Sequence, residues 1–523
     1  MPRSEVAADT TEILEVATEE FQKQVRADAA TLKDELDAGT FDNRQGIIGF
    51  EYEFYGVSDP DTSTRVEAGS ATLGALTRVP RGLLGLMGFE KELGLHNAEM
   101  CTSPQPMNRH GLAAQETEVK ARLAAALETA GTEGIRLVSD ALWTIPPAGE
   151  TARGYLTDSI EDGGITVATN MSAVGRYHAM ANAGAPAGMR IEAPNVTLQA
   201  ETVMPESLIT SVQPHYQVPY ARDIGEYFAY AIRIAAPLLA LGSNSPFFPP
   251  DLYDAGATAE DVLADAWMEH RISVFETVLN AEGVRKVKFP KDIESVDAAI
   301  DRVAEDRVFV PMPIERGERF DDAFAAFRTK HGTYWRWVRP VFEGATRSEA
   351  NARIEFRPIS GQPTVRDAIA FQAAFAGLIE GMHAHSHPLA NLDWEDARSN
   401  FYAAMRDGLS ASLSWITAGG DPTTDPDRIY ADLLEAAETG LRMRGLRERE
   451  IDRYLDPLRL RVDRGITPAG WKHRDVRRRI EEGDDLETAI RSMQQAYISL
   501  QSETLIEGTF ADWLDGYTGR QNC

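Results

Sequence analysis

Cysteine is almost absent from this sequence, since only Cys101 and Cys523 occur in 523 residues. Two cysteines provide no disulfide framework, and neither belongs to a CxxC pair that could bind zinc or act in redox exchange. This scarcity predicts a protein of a reducing cytosol. We expect Cys101 to be a buried thiol, because no sequence typical of a cysteine nucleophile surrounds it.

Long apolar segments are also missing. The N-terminal sequence contains no apolar core of a secretory signal, and the longest apolar run, YFAYAIRIAAPLLALG, is interrupted by Arg233 and Pro237. We therefore expect a cytoplasmic protein that does not span a membrane.

Positive charge is scarce. Lysine and arginine number 53 against 81 acidic residues, which gives a formal net charge of -28. Nucleic acids and anionic membranes require basic surfaces, so neither is expected as a partner. The acid excess predicts a surface adapted to a salt-rich, halophilic cytosol, with an ordinary acidic enzyme as the alternative.

Two nucleotide-binding motifs are missing as well. No GxGxxG follows a first strand and no GxxxxGK[ST] loop occurs, so neither a Rossmann nor a P-loop site is predicted. The strand-like segments alternate polar and apolar residues instead of forming continuous apolar runs. This pattern favours an α+β fold with an antiparallel or mixed sheet and helices on one of its faces.

Composition divides the chain into three parts. Residues 1–44 resemble an acidic helical leader, 45–419 form the expected catalytic domain, and 420–523 read as a charged helical extension after the breaker TAGGDPTTDPDR. Helical periodicity predicts helices over 111–130, 221–242, 259–281 and 365–383.

One strand carries an unusual pair of acids. In IIGFEYEFYGV, which begins at Ile47, the apolar residues Ile48, Phe50, Tyr52 and Phe54 share one face, while Glu51 and Glu53 lie on the other. A lone pair of this kind is usually a solvated strand face.

Other strand-like segments repeat this pattern, in SVQPHYQVP, ARIEFRPIS and HNAEMCTSP. Their polar faces carry Gln213, His215, Gln217, Arg353, Glu355, Arg357 and Glu99. If the strands are neighbours, four carboxylates, an imidazole and arginines meet on one sheet face. Oxygen-rich sites with an imidazole suit Mg²⁺ or Mn²⁺, which can bridge nucleotide phosphates, and arginines can bind phosphoryl or carboxylate groups.

The order of seven segments resembles the glutamate-cysteine ligase type 2 family over about 45–415. They are GFEYEFYGV, LHNAEMCTSP, SVQPHYQVP, APLLALGSNSPFF, HRISVFE, GTYWRWVRP and RIEFRPISGQPT. The resemblance implies a curved antiparallel sheet that forms a funnel, as in glutamine synthetase and the guanidino kinases. It also implies that ATP and divalent metal bind on the polar concave face.

The resemblance implies roles for individual residues. Glu51, Glu53, Glu99, His215 and Glu355 resemble the metal and nucleotide ligands. Arg271, Arg339 and Arg357 resemble contacts to phosphate or to the substrate carboxylate, with Arg339 and Arg357 as the catalytic pair. Gln213 replaces a histidine of the family and is assigned to substrate or nucleotide binding.

The implied activity is an ATP- and Mg²⁺-dependent ligation of the γ-carboxyl of L-glutamate to L-cysteine through an acyl phosphate, which gives γ-glutamylcysteine. A ligase for another carboxylate and amine, a non-catalytic nucleotide- or metal-binding scaffold and, less favoured, a guanidino kinase are the alternatives. Small molecules are the expected partners, and a homodimer is an open alternative to a monomer.

A second histidine cluster lies in GMHAHSHPLA, where His383, His385 and His387 alternate. No acid or cysteine is close in sequence, so we expect a loop or helix-end cluster rather than a zinc site. Metal binding by the trio is the alternative.

Overall fold

The structure is a computed structural model that describes residues 3–59, 72–183, 188–280 and 285–519. Cys523 lies outside these residues. The strands are β1 (Ile47–Ser58), β2 (Phe89–Lys91), β3 (Asn97–Cys101), β4 (Gln105–Pro106), β5 (Ile135–Val138), β6 (Ser159–Asp162), β7 (Ile165–Ala168), β8 (Met189–Ala193), β9 (Val196–Ala200), β10 (Val212–Gln217), β11 (Val338–Glu343), β12 (Asn351–Phe356), β13 (Trp415–Ile416) and β14 (Pro422–Thr423).

Helices fill the remainder of the chain. They are α1 (Arg3–Leu14), α2 (Thr18–Asp37), α3 (Arg81–Leu86), α4 (Arg109–Gly131), α5 (Ala152–Thr157), α6 (Gly175–Asn182), α7 (Ile224–Arg233), α8 (Ala235–Gly242), α9 (Ala259–Asp265), α10 (His270–Leu279), α11 (Val296–Ala304), α12 (Ala325–His331), α13 (Val365–Ala384), α14 (Trp394–Asp407), α15 (Pro426–Met443), α16 (Glu448–Arg464), α17 (Pro468–Glu481), α18 (Leu486–Thr504) and α19 (Phe510–Gly519).

A curled antiparallel sheet forms the centre of the fold. Its strand order is β11-β12-β10-β1-β3-β2, and β4 and β5 also pair with β1. The long β1 can pair with four strands because its 12 residues extend past each shorter neighbour. The predicted α+β fold with an antiparallel sheet is confirmed.

The two faces of the sheet differ as the alternation in β1 predicts. Ile48, Phe50, Tyr52 and Phe54 are at most 2% exposed. Helix α13 packs against β1 and β10 on this apolar side, which leaves the polar side chains on the opposite face. Apolar burial thus fixes which side of the sheet carries the acids, because a one-residue slip would exchange the two faces.

The C-terminal helices contact the rest of the protein closely. Helices α15 and α16 pack on α13. Arg461 of α16 is fully buried and pairs with Asp367 at 2.8 Å, and Lys472 of α17 is buried against Asp140. The predicted helical C-terminal extension is confirmed by α15 to α19, which lie between residues 426 and 519, and the proposed domain boundaries stay a prediction.

Among the described residues, no single helix has the length and apolar composition needed to cross a membrane, although the bent pair 221–233 and 235–242 meets both criteria together. Every residue of α8 is buried in the protein.

Candidate active site

The strand register brings the predicted acids onto one polar face. Glu53 lies opposite Glu99 across the β1–β3 pair, and His215 lies opposite Glu355 across the β10–β12 pair. Arg339 of β11 is in turn opposite Glu355. Residues directly opposite each other in an antiparallel pair point to the same side, so all these side chains share one surface.

Glu51, His215 and Glu355 form the first cluster. One potential ligand atom from each lies within 4.8 Å of the others. Burial acts to raise the pKa of Glu51, but the adjacent His215, whose Nε2 is 3.2 Å from the carboxylate, and the guanidinium of Arg357 together lower it below its usual value.

Arg353 determines how His215 can act. Its Nε donates to Nδ1 of His215 at 3.1 Å, so Nδ1 is the acceptor nitrogen and the neutral ring carries its proton on Nε2, facing Glu51. In this tautomer the ring is a hydrogen-bond donor. Binding of a metal by Nε2 requires Arg353 to leave Nδ1, whereas the carboxylates are free of this constraint.

A second cluster contains Glu51, Glu99 and Cys101. Burial, together with the neighbouring acids Glu51 and Glu92, raises the pKa of Glu99 well above its usual range. Burial also raises the pKa of the Cys101 thiol strongly. A neutral thiol is a poor nucleophile, so this environment does not favour Cys101 as one. Cys101 is partly buried, where the sequence predicted a buried thiol.

Glu53 is held by three hydrogen bonds. It accepts from the backbone N–H of Ser211 at 2.7 Å, from the Ser211 hydroxyl at 3.0 Å and from the Gln213 amide at 2.9 Å. Burial, with the nearby Glu92, still raises its pKa to about 7. Gln213 therefore orients Glu53, which is a closer association than the sequence indicated.

Glu355 lies between the two arginines of the predicted catalytic pair. Nε of Arg339 is 2.9 Å from one carboxylate oxygen, and Nη1 of Arg357 is 2.5 Å from the other. Burial opposes ionisation, yet the two guanidinium groups hold the pKa of Glu355 well below its usual range. The two arginines thus favour the ionised form of Glu355.

Arg271 lies behind this pair. Its Nη2 donates to the backbone oxygen of Arg357 at 2.8 Å, and its guanidinium lies 5.3 Å from the centre of the Trp337 ring. Its nearest carboxylate is that of Glu269, at 3.8 Å. Arg271, one of the predicted site residues, therefore contacts the backbone of Arg357 and helps to hold it in place.

A cavity of about 210 Å³ opens beside these groups. Glu53, predicted as a metal ligand, lines it together with Gln213, Arg339 and Arg357, which were predicted to bind substrate or nucleotide. The lining also includes Glu92, Arg176 and Glu206, which were not identified from the sequence. Glu92 precedes β3 and Glu206 lies in a short 3₁₀ turn, so neither belongs to an alternating strand that could have indicated it.

A separate cleft of about 460 Å³ contacts the other side of the cluster. Glu51, Cys101, His215 and Arg353 are among its lining residues. The polar face thus carries a small cavity at Glu53 and a larger cleft at Glu51, so a ligand can reach the acids from two sides.

The donor set suits hard divalent cations. Glu51, Glu53, Glu99 and Glu355 offer carboxylate oxygens, the ligands that Mg²⁺ and Mn²⁺ prefer. Three acids in this region, Glu53, Glu92 and Glu99, have raised pKa values because they are buried together. A dication would relieve that repulsion, so the residues fit the predicted metal.

The histidine trio of 383–387 is elsewhere, and its rings have separate partners. His383 stacks on Tyr227 and lies 3.3 Å from Glu226, whereas His387 is 3.2 Å from Asp432. His385 contacts the backbone oxygen of Gly381. In the described part of the chain, no group of clustered ligand atoms includes any of the three.

Comparison with known proteins finds a family model and solved structures that match this chain across the whole sheet. The family described as Glutamate-cysteine ligase family 2 matches residues 47–495. Glutamate–cysteine ligase from Francisella tularensis, solved with AMP, is 12% identical, and the match covers 89% of this chain and 91% of that one with a TM-score of 0.51.

A bifunctional glutathione synthetase from Pasteurella multocida is 13% identical, with 91% of this chain and 55% of that chain covered at a TM-score of 0.47. No curated protein matches the chain in sequence.

Proposed function

We propose that this chain, which belongs to glutamate-cysteine ligase family 2 and is an ATP-dependent carboxylate-amine ligase, joins the γ-carboxyl of L-glutamate to the amine of L-cysteine. The family resemblance predicted from the sequence is confirmed. The substrate pair, the metal and the individual site residues are our proposal.

The reaction we propose has two steps. The substrate carboxylate attacks the γ-phosphorus of ATP, which forms an acyl phosphate and releases ADP. The amine then attacks the acyl carbon, and phosphate leaves as γ-glutamylcysteine forms. A carboxylate is a poor electrophile at neutral pH, so the first step creates the leaving group that the second step needs.

The convergence of acids and arginines on one face carries this proposal. Glu51, Glu53, Glu99 and Glu355 would hold Mg²⁺ or Mn²⁺, which supplies positive charge to the phosphates of ATP when bound. Arg339 and Arg357 have guanidinium N–H groups beyond those bound to Glu355. We assign these groups to the transferring phosphoryl group or to the substrate carboxylate.

The cavity at Glu53 fits a small charged substrate. Its volume of about 210 Å³ is below that of a drug-sized pocket. Glu92 and Glu206 place acids beside it, while Arg176 places a guanidinium there. An amino acid carries an ammonium and a carboxylate, so this mixed lining is complementary to it.

The test measures ADP release from ATP and Mg²⁺ with defined acid and amine pairs. We expect release with glutamate and cysteine that requires both. Release with another pair would replace the substrate assignment, release on a guanidine acceptor without an acid would indicate a guanidino kinase, and no release with any pair would favour a non-catalytic scaffold.

Two variants test the site separately from the substrate. Glu355→Gln and Glu53→Gln keep the shape of each side chain but remove its charge, and we expect activity to fall roughly 10²–10³-fold in each. Glu128→Gln, an exposed position on α4, is the matched control. Full activity in both site variants would refute the assignment.

A further inference from the structure

A second groove lies on the opposite side of α10 from the candidate active site. Its volume is about 780 Å³, and its walls come from α10, β8, α14 and the segment 285–291. We refer to it as the α10 groove. Its charged lining consists of Arg190, Glu192, Glu276, Arg285, Lys288, Lys291 and Arg398.

The α10 groove is basic in a strongly acidic protein. Its lining has five cations and two carboxylates, although the chain has a formal net charge of -28. Both carboxylates are engaged: Glu192 pairs with Arg190 at 3.2 Å, and Glu276 accepts hydrogen bonds at 2.8 Å from Trp337 and from Tyr402.

Four of the cations make no ion pair with a carboxylate among the described residues, namely Arg285, Lys288, Lys291 and Arg398. By contrast, the buried Arg233 and Arg336 each pair with a carboxylate, Asp292 and Asp306 respectively. An unpaired cluster of like charges is unfavourable by itself, so an anion from solution would stabilise it.

Aromatic rings hold two of these cations in place. Lys291 lies 5.4 Å from the centre of the Trp394 ring, and Arg398 lies 5.2 Å from that of Tyr402. The indole of Trp394 donates to the backbone oxygen of Pro290 at 2.7 Å, which fixes the segment beside it. The charged groups are therefore positioned before any ligand arrives.

We propose that the α10 groove is a second binding site, for a compact multivalent anion, and that its occupation alters the candidate active site through Glu276 and Trp337. Phosphate groups and clustered carboxylates share the required chemistry, because both accept several charge-assisted hydrogen bonds from lysine and arginine. The ring faces already contact cations, so charge rather than ring stacking selects the ligand.

The route to the active site consists of direct contacts. Glu276 is on the groove side of α10, while Phe275 and Leu279 of the same helix line the 210 Å³ cavity. Trp337 donates a hydrogen bond to Glu276, and its ring contacts the guanidinium of Arg271. Arg271 in turn donates to the backbone oxygen of Arg357. The coupling between the groove and the active site rests on the proposed function, whereas anion binding in the groove does not.

Binding is tested by calorimetry with pyrophosphate and, separately, citrate at fixed ionic strength. We expect at least one to bind, and Lys291→Gln and Arg398→Gln each to weaken it roughly tenfold or more by removing a charge-assisted contact. Glu53→Gln should retain this binding, and Arg449→Gln on α16 is the matched surface control.

Binding of pyrophosphate would identify a phosphate ligand, and binding of citrate would identify a carboxylate ligand. Absence of binding in both arms, or equal affinity in the two groove variants and the control, would overturn the site.

The effect on the active site is measured as the KM for each substrate, at constant free Mg²⁺, with and without the anion that binds. At an anion concentration near the wild-type dissociation constant, we expect at least a twofold change in the wild-type protein and a smaller change in Arg398→Gln. An unchanged KM at saturating anion, or an equal change in Arg398→Gln at the anion concentration that half-saturates the wild-type protein, would overturn the coupling while leaving the binding result intact.

Discussion

Metal binding by this protein should depend on pH, because Glu53 has a pKa near 7. A carboxylate must lose its proton to bind a cation, so protons and metal compete for Glu53. With a pKa of about 7, Glu53 is about 90% ionised at pH 8 and about 10% ionised at pH 6. The dissociation constant for Mn²⁺ should therefore rise roughly tenfold from pH 8 to pH 6.

Isothermal titration calorimetry in two buffers of different ionisation enthalpy measures both the affinity and the number of protons released. The pKa values of Glu92 and Glu99 are also raised by burial, so tenfold is the minimum change expected. Glu53→Gln should reduce the number of released protons, since the amide does not titrate. An affinity equal at pH 6 and pH 8, without proton release, would refute the reasoning.

The raised pKa of Glu53 also predicts how the stability of the metal-free protein depends on pH. The folded pKa of Glu53 lies above the value of an unfolded glutamate, so the folded state binds more protons between the two values. The contribution of Glu53 to stability should consequently fall as pH rises from about 4.5 to about 7 and stay constant above that. Added Mn²⁺ should restore the loss at pH 8, as thermal melting would show.

Three further predictions concern other parts of the protein. Lys472→Met leaves the buried Asp140 without its cation and should cost about 3–5 kcal/mol in urea unfolding, whereas adding Asp140→Asn should recover part of that loss. Arg339→Lys keeps the charge but loses the planar fork beside Glu355, so activity should fall at least tenfold without global unfolding. Activity should be higher at molar than at low potassium chloride if the acid excess is an adaptation to salt, and a salt-indifferent protein would contradict that hypothesis.

Strand periodicity predicted the sheet faces well, but helix breaks were missed. The helix predicted over 221–242 is two helices, α7 and α8, which meet at Ile234 before Pro237. The one predicted over 259–281 also divides, because the backbone at Met268 and Glu269 bonds to residues of α14. Proline marks the first break in the sequence, whereas only tertiary contacts determine the second.

The site was predictable to the extent that it lies on strands. Alternation indicated which side chains share a face, but it carried no information on strand order. It also could not find Glu92 or Glu206, which reach the cavity from outside the sheet. Alternation placed Arg353 and His215 on the polar face but gave no distance between them. The hydrogen bond between these two side chains could therefore not be predicted.

The C-terminal helices support the site through buried polar contacts. Arg461 donates to the side chain of Gln362 at 2.8 Å, and the backbone oxygen of Gln362 accepts the hydroxyl of Tyr52 at 3.1 Å. Tyr52 lies between Glu51 and Glu53 in β1, on the opposite face. Because Arg461, Gln362 and Tyr52 are fully buried, replacing Arg461 would take a charge-assisted contact from Gln362 and from the Asp367 carboxylate. Helix α16 therefore helps to hold the segment to which Tyr52 of β1 is bonded.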